Sequence, residues 1–160
     1  LAGLHLEQYR HATFEPEEYY LEGLKRSAGD IRINVAYGTL LLRRGLFTEA
    51  ETHFRRAIKT LTARNTNPYD SEAYYQLGVS LKLQERHEEA FEALYKSVWS
   101  AAWQDSGYFT LAQIASARQS YEEALELTER SLIRNTRNYK ARHLKAALLR
   151  KLGRYEAAVS

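Results

Sequence analysis

The residues of this chain with the chemistry to catalyse or to hold a metal are five histidines (His5, His11, His53, His87 and His143) and two carboxylate pairs, Glu88-Glu89 and Glu122-Glu123. The histidines fall in no metal-ligand spacing, and no His-Glu-x-x-His run brings two imidazoles onto one helix face. The chain also lacks a glycine-rich phosphate loop and a nucleophile elbow. Both carboxylate pairs fall in the first turn of an expected helix, where acids favour the helix dipole, so their expected role is structural. No enzymatic activity, cofactor or metal is therefore expected. What remains is recognition without covalent chemistry. The candidates are the rings Tyr75, Phe109 and His143 with the polar residues Arg32, Glu72, Lys82, Gln113, Lys140 and Arg150.

Those side chains need a frame, and the sequence supplies one as a repeat. Ala50, Ala90, Ala124 and Ala158 occupy matching points, and the last two steps between them are both 34 residues. With Ile31, Ser71, Asp105 and Tyr139 as first positions, the eighth position is Gly38, Gly78, Ala112 and Ala146. Small residues at position 8 and again at the alanine of position 20 let two helices cross closely. Position 11 (Leu41, Leu81, Ala115, Leu149) supplies filler. Position 17 (Phe47, His87, Tyr121, Tyr155) and position 24 (Phe54, Leu94, Thr128) are expected to wedge between one unit and the next. A period of this length with two helices per unit predicts a solenoid that buries its apolar faces by stacking.

With a further small residue at position 27 (Ala57, Ser97, Ser131), the pattern resembles the tetratricopeptide repeat from about residue 31 to the end. The resemblance implies an all-α, right-handed solenoid of stacked antiparallel helix pairs, running as one domain over residues 1–160. Its expected parts are a degenerate repeat at 1–29, a first full unit at 31–70 with about six extra residues, units at 71–104 and 105–138, and a truncated unit at 139–160. The extra residues fall near Thr62 to Asp70, where Asn65-Thr66-Asn67-Pro68 is loop chemistry. Pro16-Glu17-Glu18 opens a helix upstream, and a shorter one is expected around Leu4 to Arg10. Position 4, often tryptophan in the family, is Asn34, Tyr74, Tyr108 and Arg142, and the usual helix-ending proline is replaced by Ala102 and Thr136. These departures are expected to loosen the turns between units. Because the chain begins at Leu1, contains no methionine and stops at Ser160 inside an expected helix, it reads as a piece of a longer protein. Gly3 to His11 and Trp99 to Trp103 also resemble, more weakly, the repeat region of large bacterial proteins in which an uncharacterised, carbohydrate-related β-rich domain precedes the repeats. That would imply an accessory module and transfers no site residue.

In such a solenoid the first helix of each unit lines the concave face, with positions 2, 5, 9 and 12 directed at the groove. They are Arg32, Val35, Thr39, Leu42; Glu72, Tyr75, Val79, Lys82; Ser106, Phe109, Gln113, Ser116; and Lys140, His143, Ala147, Arg150. Tyr75, Phe109 and His143 would form a ladder at position 5, suited to an extended peptide, a helix or a neighbouring domain of the parent chain. The alternative is that these rings pack on neighbouring units. Repeat proteins that capture chaperone C-termini resemble one another in a lysine at position 5 and an asparagine at position 9 of the first unit. Here those positions hold Val35 and Thr39, so that function is not expected. Trp99 and Trp103, four residues apart, are expected on one side of a helix, packed at the turn between units.

Charge and composition bound the rest. The formal net charge of +3 hides nine basic residues and no acid between Arg130 and Arg154, which makes this end locally basic and the remainder net acidic. A nucleic-acid or phosphate site there is an alternative function, although a solvated charged face is the expected reading and nucleic acid is not the expected partner. Absence of cysteine excludes disulfides and fits the cytoplasm, and no apolar run approaches the about 20 residues of a membrane span. Open ends of the stack are expected to allow a homodimer.

Overall fold

The computed structural model describes residues 16–65 and 70–159. The expected helix at Leu4 to Arg10, the Gly3 to His11 stretch and Thr66-Asn67-Pro68 lie outside the described residues. Nine α-helices and one 3-10 turn, with no strand, make up the described residues. In chain order they are α1 (Pro16–Arg26), α2 (Ile31–Arg43), α3 (Phe47–Arg64), α4 (Glu72–Leu83), α5 (His87–Ser97), the 3-10 turn Ala101–Trp103, α6 (Gln104–Ala117), α7 (Tyr121–Arg134), α8 (Tyr139–Lys151) and α9 (Tyr155–Val159). They form a right-handed solenoid of stacked antiparallel helix pairs. The first helices pack on one another in sequence, α2 on α4 and α4 on α6, to make the inner row.

Local chemistry sets the helix ends. Asp30 caps α2 by accepting from the Ile33 amide at 2.9 Å, and Asn138 caps α8 by accepting from the Ala141 amide at 3.0 Å. Glu17 and Glu18 occupy the first turn of α1, with Lys25 and Arg26 in its last, each complementing the helix dipole. Within every pair the two helices are joined by one repeated turn. Its central residue is left-handed, at Gly45 (φ 79°), Glu85 (φ 60°), Gln119 (φ 64°) and Gly153 (φ 73°). The following amide reaches back to the same register each time, Leu46 to Leu41, Arg86 to Leu81, Ser120 to Ala115 and Arg154 to Leu149, at 2.8 to 3.0 Å. Glycine adopts this conformation freely, whereas Glu85 and Gln119 hold it against the steric preference of an L side chain.

Close crossing is the reason for the small residues at position 8. A Cβ on Gly38 would stand 2.6 Å from the Phe54 ring, and one on Gly78 would stand 2.5 Å from Leu94 Cγ and 3.3 Å from the Ala90 carbonyl oxygen. Position 24 thus fills the space over its own unit's glycine, within a core that runs on through the neighbouring units. Phe54, Leu94, Ala50, Ala90 and Ala124 are all fully buried. Burial of such side chains contributes about 1.5 to 3 kcal/mol for each large one.

Polar clasps join successive pairs. The Ser80 hydroxyl donates to the Phe47 carbonyl of the preceding pair at 2.8 Å, while within the α4–α5 pair the Ser71 hydroxyl donates to the Ser97 carbonyl at 2.6 Å. Glu51, nearly buried, accepts from Arg55 Nε at 2.8 Å, Arg86 Nη1 at 2.7 Å and Gln84 Nε2 at 3.0 Å. Burial raises its pKa, but these donors outweigh burial and hold the carboxyl below its usual value. The paired acids of the sequence reading are engaged here too: Glu89 by Arg86, Glu88 by Arg118 and Glu122 by Arg154.

The turn around Thr136, which lacks the proline, is tied rather than loosened. Asp105, at the start of α6, accepts from Ser131 Oγ at 2.7 Å, Asn138 Nδ2 at 2.9 Å and Asn135 Nδ2 at 2.8 Å. At the N-terminal end Asn34, fully buried where tryptophan is common, donates from Nδ2 to the Ala28 and Asp30 carbonyls. That fixes its amide orientation, so Oδ1 accepts from His53 Nδ1 at 2.9 Å.

Candidate functional site

The inner face carries two recesses, built from opposite chemistry. The central one lies between α4 and α6 and is a groove of about 340 Å³. From α4 it takes Tyr75, Val79, Lys82 and Leu83, spaced so that one side of the helix faces the opening. From α6 it takes Ser106, Phe109, Thr110 and Gln113, and the start of α8 closes it with the N-cap Asn138 and with Lys140 in the first turn. Lys82 Nζ spans the groove to donate to Gln113 Oε1. The ammonium is half-buried, and burial pushes its pKa below the usual lysine value. Tyr75 is stacked on Trp103, ring centroids 4.8 Å apart and planes 24° apart, so the tyrosine is buttressed from the 3-10 turn.

The second recess, of about 300 Å³, lies at the N-terminal end between α1, α2 and the start of α4. Tyr20, Ile31, Val35, Ala36 and Ala73 give it an apolar floor, and Arg32, Asp70 and Glu72 supply its charge. Burial first, and the neighbouring Asp70 charge second, push the Glu72 carboxyl above its usual value.

The expected site residues therefore divide. Tyr75, Lys82, Phe109, Gln113 and Lys140 come together in the central groove, and Arg32 and Glu72 in the N-terminal pocket. His143 and Arg150 are exposed on α8 and line neither. The expected ladder is not a stack of rings. Among the described residues no ring contact links Tyr75, Phe109 and His143, and Tyr75 pairs with Trp103 instead. The tryptophans correct another expectation. Helix α5 ends at Ser97, so Trp99 and Trp103 do not share a helical face, and Trp99 is 69% exposed rather than packed. Sequence reasoning missed the roles of Trp103, Leu83 and Asn138 in this site. The Asn138 side chain had a readable signal, because an asparagine directly before a helical run is an N-cap.

The basic end is partly neutralised by acids of α7. Arg130 pairs with Glu126 at 2.6 Å, Lys145 with Glu129 at 3.3 Å and Arg154 with Glu122 at 2.7 Å. Among the described residues no group of three or more His, Cys, Asp or Glu is placed to hold a metal ion. No helix there is long and apolar enough to cross a membrane.

Residues 30–98 match the tetratricopeptide-repeat family model. Among solved structures, a MamA fragment from Desulfovibrio magneticus RS-1 is similar with a TM-score of 0.81 at 17% identity, covering 99% of this chain and 85% of that one. PilF of Pseudomonas aeruginosa is similar with a TM-score of 0.76 at 19% identity, covering 90% of this chain and 63% of that one. YrrB, described as a repeat protein of this kind with an unusual peptide-binding site, is similar with a TM-score of 0.75 at 17% identity, covering 89% of this chain and 70% of that one. At these identities the likeness is one of fold.

Proposed function

We propose that the chain, whose residues 30–98 match the tetratricopeptide-repeat family model, is a protein-interaction scaffold whose central groove holds an extended peptide segment. The observation that carries this reading is the convergence of Tyr75, Phe109, Lys82, Gln113 and Lys140 on one groove from three different helices. Rigid rings beside fixed polar groups are the composition of a binding hot spot. Trp103 adds rigidity by holding the Tyr75 ring in place. The peptide-binding site described for YrrB is in keeping with this use of the fold. The nucleic-acid alternative loses ground, since Glu122, Glu126 and Glu129 offset three of the nine bases.

The test is retention of peptides from a random pool on immobilised chain, with Tyr75→Ala/Phe109→Ala alongside and helical content checked by circular dichroism. Loss of two hot-spot rings lowers affinity by about thirtyfold or more. Equal retention by both forms, or none by either, excludes the groove as an independent peptide site.

A further inference from the structure

The groove is charged with one sign only. Lys82 and Lys140 line it and no carboxylate does. Elsewhere several bases that meet acids do so within the chain: Arg44 with Glu17, Arg55 and Arg86 with Glu51 and Glu89, and Arg154 with Glu122. Neither groove lysine has an ion-pair partner among the described residues. The carboxylate in the same corner, Asp105, has both oxygens occupied by Ser131, Asn135 and Asn138.

Lys82 is the sharper of the two. Its ammonium is half-buried and anchored by one hydrogen bond to the neutral Gln113 amide, which leaves two of its three donors unused. A partly desolvated ammonium is ordinarily matched by a carboxylate, because loss of water without a counter-charge is costly. Gln113 holds the charge in position but does not neutralise it. Apolar side chains accompany it in the lining, with Tyr75 and Val79 before Lys82 and Leu83 after it on α4.

Resting on the peptide reading above, the geometry points to a more specific occupant: an extended peptide with an internal Asp or Glu side chain between Lys82 and Lys140 and an apolar side chain against Phe109. The carboxylate supplies the counter-charge that the groove lacks, in charge-assisted hydrogen bonds with the two ammonium groups.

Two pools of N-acetylated, C-amidated heptapeptides test this, one fixed as Glu at the centre and one as Gln, the other positions drawn from apolar and small residues. A third, with no acidic side chain and a free C-terminal carboxylate, is run beside them. Each is retained on the immobilised 160-residue chain and on Lys82→Gln/Lys140→Gln, with folding of the variant checked by circular dichroism. The expected result is retention of the Glu pool about tenfold above the Gln pool, falling to parity on the variant. Equal retention of the Glu and Gln pools on the unmodified chain overturns the acidic requirement and leaves the peptide groove standing. Retention of the free-carboxylate pool alone overturns the internal side chain in favour of a chain terminus. Retention of no pool removes the peptide reading together with the inference built on it.

Discussion

The N-terminal pocket and the central groove share α4 as a wall, yet the first sets Asp70 and Glu72 against Arg32 on an apolar floor while the second offers Lys82 and Lys140 beside two rings. The backbone frame is the same in both, down to the left-handed turn after each first helix. What differs is the side chains at the inward positions and the clasps beside them. The N-terminal clasp is the buried Asn34 with His53, and the groove's is Asp105 with three donors. The frame positions state where a surface will be, and only the identities at inward positions state what it will hold.

The largest effect is expected where the two recesses depend on the same crossing. Gly78→Val forces a branched side chain into the space of Leu94 and the Ala90 carbonyl, and should destabilise the fold by about 3 kcal/mol, read as a lowered thermal midpoint. Both recesses should be lost together, and a midpoint unchanged from the parent would mean that α4 is not held by this contact. A smaller and one-sided effect is expected from Asp105→Ala. It removes three hydrogen bonds at the groove's closing turn and should cost about 2 kcal/mol in denaturant unfolding, with no change in the environment of Tyr20.

That second substitution also marks the limit of what the sequence discloses. The fold class was legible because Gly38, Gly78, Ala50 and Ala90 sit at spacings that serve close helix crossing and little else. The general position of the inner face followed from the same register. Asp105 was legible only as the first residue of a unit, since its partners lie 26 to 33 residues away and meet it through a turn. Trp103 was misplaced for a related reason. The helix stops at Ser97, and a break of a few residues reassigns every side chain beyond it to a new face. The contact of position 24 with its own unit's glycine was not legible, because periodicity gives spacing along the chain but not which of two adjacent helices fills a gap.

The smallest effect sharpens the comparison through its sign. Burial raises the Glu72 carboxyl and hydrogen bonds outweigh burial to lower that of Asp105, so the two titrate stability in opposite directions. Stability contributed by Asp105 is present above its ordinary value of 3.8 and lost as pH falls through its lowered folded value. Glu72 costs nothing below 4.5, and its penalty grows as pH rises through its raised folded value. Glu72→Gln should therefore match the parent at low pH and exceed it at neutral pH by about 0.5 kcal/mol or less, measured as a difference in unfolding midpoints across a pH series. A gain confined to low pH would reverse the assignment of Glu72 to a desolvated site.

The break between Trp99 and Trp103 leaves one indole in water and lays the other on the tyrosine that walls the groove. The chain thereby carries its own optical gauge. Trp99 emits as a solvated reference, Trp103 emits from a stacked site that shifts when the Tyr75 ring is pressed by an occupant, and Trp99→Phe isolates that second signal without a dye or a tag.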